Sequence, residues 1–182
     1  MTFRKATQSD AVRCLEIYDA VSDWEVINGR QTCWERGFYP TMETVQTALA
    51  EEDLYVLEDE IDGKNVIVAS GRINFNQPEY YKNFEWKTSA ALEECLVLHT
   101  FGVHPDLQRR GYGQAFMANY AGLARGLGCK ALRLDTVSSN QKSQAMYKKL
   151  GFWETGRWEG DPNGVGCTLV FVGLEKNIFN LV

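Results

Sequence analysis

ECLVLHTFGVHPDLQRRGYGQAF, residues Glu94 to Phe116, carries three signals in sequence. Its first ten residues carry apolar side chains on both faces, as in a central strand. His104-Pro105 ends that run, because proline cannot donate to a ladder and restricts the residue before it. Gly111 and Gly113 then flank Tyr112 behind Gln108-Arg109-Arg110, and a helical apolar pattern begins. Amides at such a helix start point outward, and the helix dipole adds positive partial charge. Gly111 and Gly113 allow close backbone approach, while Arg109 and Arg110 offer charge-assisted contacts. The stretch therefore reads as strand, anion-binding turn and helix. With the next apolar run, CKALRLDTV, it makes a βαβ unit, whose crossover should be right-handed.

Working outward, TFRKA reads as a short first strand. SDAVRCLEIYDAV reads as a helix capped by Ser9 or Asp10, with Val12, Leu15, Ile17 and Tyr18 near one face. DWEVINGRQTCWERGFYPT reads as irregular, and Thr41 caps a second helix, METVQTALAEE. LYVLEDEIDGKNVIVASGRINF reads as two strands turned at Asp62-Gly63. After an aromatic loop and the βαβ unit, NQKSQAMYKKLGF reads as a short helix closed by Gly151. WETGRWEG and CTLVFVGLEK read as a terminal hairpin. The fold class is therefore α/β (α+β): a mixed, mostly antiparallel central sheet with helices on both faces, in one domain spanning residues 1–182.

Net charge is −5, which argues against a non-specific nucleic-acid binder, since that needs a basic face. No apolar run is long enough to cross a membrane. The polar start MTFRKATQSD lacks the apolar core of a secretion signal. Five cysteines stand singly, with no zinc-like spacing, so no metal site is expected and a reducing cytoplasm is.

Two familiar nucleotide loops do not fit. There is no GxxxxGK[ST], and the glycine turn lacks the third glycine and early position of a dinucleotide fingerprint. QRRGYG instead resembles the cofactor signature of the GCN5-related N-acetyltransferases, Gln/Arg-x-x-Gly-x-Gly/Ala between a strand and a helix. LHTFGVHPD is similar to that family's fourth strand. Asn140, Tyr147, Gly151 and Phe152 resemble its Asn…Tyr-x-x-x-Gly-Phe segment.

The resemblance implies acetyl-CoA as cofactor. Its pyrophosphate would lie on the turn, Gln108, Arg109, Arg110, Gly111, Tyr112, Gly113 and Gln114. Its pantetheine arm would pair along Phe101, Gly102 and Val103, as an added strand does, with Gly102 a plausible bulge residue. Asn140 would bond the arm or fix the loop after the fifth strand, and Tyr147 would protonate the leaving thiolate. An amine nucleophile also needs a base. His99 suits by its reference pKa near 6.5, and Glu93 is a rival by strand alternation. Trp24, Trp34, Tyr39 and Trp86 are candidates for the acceptor wall, or for a local core or dimer contact. The expected activity is N-acetylation of a primary amine by direct transfer, with a small molecule as acceptor. A protein or peptide acceptor and a non-catalytic CoA-binding module are the alternatives. A homodimer is expected from the family, but no nucleic-acid or membrane partner.

Overall fold

The computed structural model describes residues 1–162, 164 and 166–178. Its strands are β1 (Thr2–Lys5), β2 (Leu54–Ile61), β3 (Lys64–Asn74), β4 (Cys95–Val103), β5 (Ala131–Val137), β6 (Trp153–Gly160) and β7 (Leu169–Asn177). Its α-helices are α1 (Ala11–Asn28), α2 (Met42–Ala50), α3 (Tyr112–Gly126) and α4 (Gln141–Lys149). The order of elements is the one read from the sequence. The strands form one seven-stranded sheet in the order β1-β2-β3-β4-β5-β7-β6. β4 and β5 run parallel, while β1–β2, β2–β3, β5–β7 and β6–β7 are antiparallel. This is the expected mixed, mostly antiparallel sheet.

α1 departs from the sequence reading in two ways. It continues seven residues past Val21, through Trp24 and Glu25, and stops at Gly29, which takes φ 96. No proline or glycine interrupts DWEVIN, so nothing ends the helix earlier. Its buried stripe is Ala11, Cys14, Ile17, Tyr18, Val21, Ser22 and Glu25, an i, i+3, i+4 series. Val12 faces outward and Leu15 is only half-buried. The hairpin turn is as expected: Asp62 and Gly63 take φ 51 and 73, the left-handed pair of a type I′ turn.

The chain divides into two compact units. One comprises Met1–Ile73 with Thr100–Asn119, the other Asn74–His99 with Tyr120–Val182. In the first, α1 and α2 bury Cys14, Ile17, Tyr18, Val45 and Ala48 against Leu54, Val56 and Ile67. Full burial of each large aliphatic side chain contributes roughly 1.5–3 kcal/mol. In the second, Leu96, Leu132, Leu134, Val172 and Leu174 are buried on adjacent strands. The Tyr120 hydroxyl donates to the Leu96 carbonyl at 2.5 Å, so a polar atom of that interior is satisfied.

Candidate active site

In the first unit, β4 leads through a short 3-10 turn, Pro105–Leu107, into the glycine turn. Arg109 and Gly111 both take left-handed conformations, φ 65 and 86. Alternation of left- and right-handed residues turns successive N–H groups to one side, the geometry of an anion nest. The Ala115 amide bonds back to the Gly111 carbonyl, so the amides before it stand at the helix start without an earlier turn to bond to. A Cβ on Gly111 would meet nothing within 4 Å. Its φ, rather than crowding, is what calls for glycine there, and the space above it is open. Arg109, Arg110 and Gln114 are exposed. Tyr112 contributes only backbone, because its hydroxyl is turned to Asp59 at 2.8 Å on β2. The Gln108 side chain reaches back to the Val103 carbonyl at 3.4 Å. These features fit a pyrophosphate.

The backbone irregularity of β4 is at Thr100, φ 46, two residues before the glycine expected to supply it. A β-branched residue rarely adopts this conformation, and such strain concentrates at functional sites. Its hydroxyl pairs with the Tyr39 hydroxyl at 2.8 Å. Gly102 has a different use: a Cβ there would stand 3.4 Å from both Trp34 and Tyr18. Trp34 packs edge-on against Tyr18, with ring centroids 5.4 Å apart. Two of the proposed acceptor-wall residues, Trp34 and Tyr39, thus meet β4 where the pantetheine arm is expected. Phe101 packs on Phe116 of α3 at 4.6 Å. Trp24 is half-buried on α1.

In the second unit, the parallel β4–β5 ladder runs only from Cys95↔Ala131 to Leu98↔Leu134. Beyond it, Asp135, Thr136 and Val137 pair with β7. Just past that point Asn140 starts α4. Its side chain accepts from the Ser143 amide at 3.2 Å, so Asn140 is the helix cap that fixes the connection after β5. Tyr147, on α4, is buried and leans on Phe152. Burial, with a smaller contribution from the charge of Asp135, pushes its phenol pKa well above the usual tyrosine value. The phenol therefore stays protonated, and burial also makes it a weaker acid than an exposed tyrosine.

Nε2 of His99 lies 3.1 Å from Asn74 Oδ1 and 3.1 Å from the Asn76 carbonyl. Asn74 Oδ1 also accepts from the Asn76 amide, which fixes it as an acceptor. Nε2 therefore carries the proton. Glu93 does not share the strand face. It lies in a 3-10 turn, Leu92–Glu94, before β4 begins, and is exposed. Strand alternation does not extend through a 3-10 turn, and this removes the basis for Glu93 as a base. Trp86 is committed to packing. Its ring lies 4.5 Å beneath the Arg133 guanidinium and its Nε1 donates to the Tyr81 carbonyl at 3.0 Å.

The sequence reading missed Asp135. Its carboxylate accepts from Tyr81 at 2.7 Å and from Tyr80 at 3.3 Å. It keeps a small solvent-facing surface, yet protein surrounds it and this desolvation governs its charge. Burial pushes its pKa up to about 6, against the opposing phenol hydrogen bonds. The available signal was a carboxylate inside an apolar strand, ALRLDTV, which is uncommon without a partner or a task. No cluster of three or more metal-type ligands occurs among the described residues. None of their helices is long and apolar enough to cross a membrane.

The glycine turn thus offers an open anion seat at a helix start, and the sheet is mixed with a short parallel pair, the architecture of an acyl-CoA-dependent transferase. The chain belongs to the acetyltransferase (GNAT) family, whose sequence profile matches residues 19–152. It is an acetyl-CoA-dependent acetyltransferase. Solved structures share the fold across the chain. A GNAT-family acetyltransferase from Streptococcus agalactiae superimposes with a TM-score of 0.77 at 18% identity, covering 97% of this chain and 95% of that one. A ribosomal-protein-alanine N-acetyltransferase from Brucella melitensis gives 0.69 at 18%, covering 98% and 100%. A Salmonella typhimurium protein assigned as an acetyltransferase, solved with its cofactor acetyl-CoA, gives 0.65 at 18%, covering 97% and 93%. No curated protein sequence matches the chain significantly.

Proposed function

We propose that the protein acetylates the primary amine of a small molecule by direct transfer from acetyl-CoA in a ternary complex. The observation that carries this reading is that Asp135 and Tyr147 are both enclosed by protein in one compact unit, near enough for the charge of one to act on the other. One is a carboxylate whose pKa lies near neutrality, and the other is a buried phenol that stays protonated. Asp135 takes the proton from the ammonium group, the amine attacks the thioester carbon, and Tyr147 gives its proton to the departing thiolate. The pyrophosphate rests on the amides of residues 109–114, and the pantetheine arm follows Phe101 to Val103. Trp34 and Tyr39 supply an aromatic acceptor wall in keeping with a small amine. No acyl-enzyme is required, so no cysteine is given a role. A homodimer is part of the proposal and is read by sedimentation equilibrium.

Thiol release from acetyl-CoA with a panel of small amines, amino acids and short peptides tests the acceptor. Turnover confined to small amines is expected. Release only with peptides transfers the activity to a protein acceptor, like that named for the Brucella neighbour. Tight CoA binding with no transfer leaves a binding module. Tyr147→Phe should lower kcat about 10-fold to 100-fold with little change in acetyl-CoA affinity. An unchanged kcat across pH rejects the acid role. Asp135→Asn and His99→Gln separate the two bases, since only loss of the true base removes the acid limb of the rate profile.

A further inference from the structure

β3 ends at Asn74 and β4 begins at Cys95, and no strand lies between them. Connections of this length are uncommon in compact domains and usually functional. This one is fastened at both ends by a single buried ion pair. Arg133 Nε donates to Glu175 Oε1 at 3.0 Å, and both side chains are all but sealed from solvent. At the start of the loop, Arg133 also donates to Gln77 Oε1 at 2.9 Å. Near its end, the amides of Lys87 and Thr88 donate to Glu175 Oε2 at 2.7 and 2.8 Å. Between these anchors, Trp86 links the Arg133 guanidinium to the Tyr81 carbonyl. Tyr81 and Tyr80 then reach Asp135, which stands two residues after Arg133 on the same strand.

Buried ion pairs are weak devices for stability, because desolvation cancels much of their attraction and apolar replacements often do as well. Here each charged group takes backbone or side-chain bonds from the loop that an apolar pair could not supply. We propose that Arg133 and Glu175 are positioning residues that lock the Phe75–Glu94 loop so that Tyr80 and Tyr81 hold the Asp135 carboxylate in its reactive orientation and shield it from water. The inference rests on the reading of Asp135 as the base. The groups facing Asp135 are Tyr80 and Tyr81 from the loop and Tyr147 from α4, with Gly173 opposite it on β7.

Carboxyl ¹³C NMR titration of aspartate-labelled protein, with no ligand added, reads the proposal directly. Tyr81→Phe keeps the loop in place but removes a donor to the ionised form, so the Asp135 midpoint should rise. Glu175→Gln releases the loop, which removes the tyrosine donors but also rehydrates the carboxylate, and since desolvation is the larger effect the midpoint should fall by about one unit toward the ordinary aspartate range. Gln77→Ala, which frees one anchor and leaves the ion pair intact, should shift it the same way by less. It carries the test if Glu175→Gln fails to fold. An Asp135 midpoint unmoved by the folded anchor variants overturns the proposal, whatever happens to their stability. If Asp135→Asn retains full acetylation, the base assignment fails instead, and the titration result stands apart from it.

Discussion

The desolvated carboxylate of Asp135, proposed as the base, carries a cost in stability. Its folded-state pKa, about 6, lies above the ordinary 3.8, so the folded protein holds this proton more tightly than the unfolded chain. The associated stability is fully present below about pH 4 and is lost as pH rises through about 6. The shift corresponds to roughly 3 kcal/mol at most. Asp135→Asn should therefore raise the melting temperature at pH 8 and leave it nearly unchanged near pH 4, while acetylation falls about 100-fold or more. A melting temperature at pH 8 equal to wild type would show that the folded interior does not disfavour the charge.

At the scale of elements, two junctions make testable demands. The start of α3 needs Gly111 for its left-handed backbone and the open space above it. Gly111→Asp should leave a folded protein with CoA affinity lowered at least about tenfold, measured by calorimetry, since it brings a negative charge to the phosphate seat. Undiminished affinity would remove the turn from the cofactor site. The junction of β1 with α1 is tied by Arg4, which bonds Asp10 at 2.7 Å and Glu58 at 2.7 Å. Arg4, reinforced by the Thr7 amide and hydroxyl, lowers the Asp10 pKa to about 2. This stability is present above about pH 4 and lost as pH falls through about 2. Asp10→Asn should cost roughly 1–2 kcal/mol in urea unfolding at pH 7 and almost nothing near pH 2. An equal cost at both pH values would assign the effect to packing rather than charge.

For the molecule as a whole, the order of elements was legible because their signals are local. Asp62-Gly63 set the hairpin, Thr41 the cap of α2 and Gly151 the end of α4. The length and buried face of α1 were less legible, since which of Val12 or Cys14 turns inward depends on what α2 and the strands present to it. The glycine turn was legible because it is contiguous in sequence. Asp135 was not, because its desolvation and its partners Tyr80 and Tyr81, more than fifty residues away in the chain, exist only in the folded protein. Glu93 was misplaced because strand periodicity was carried into a turn, and Gly102 because glycine serves close packing as readily as a bulge.

β4 belongs to both compact units and changes from one to the other between His99 and Thr100, beside the left-handed backbone. This has a consequence for biosynthesis. The first unit contains α1, α2 and the β2–β3 hairpin, yet it stays incomplete until Thr100–Asn119 has left the ribosome. The second waits for β7, the last strand among the described residues. Throughout that interval the stripe of Cys14, Ile17, Tyr18 and Val21 has part of its cover missing, a period in which nascent chains depend on chaperones. A fragment ending at residue 99 should therefore remain unfolded by circular dichroism, and extending it to residue 119 should bring back the helical signal of α1.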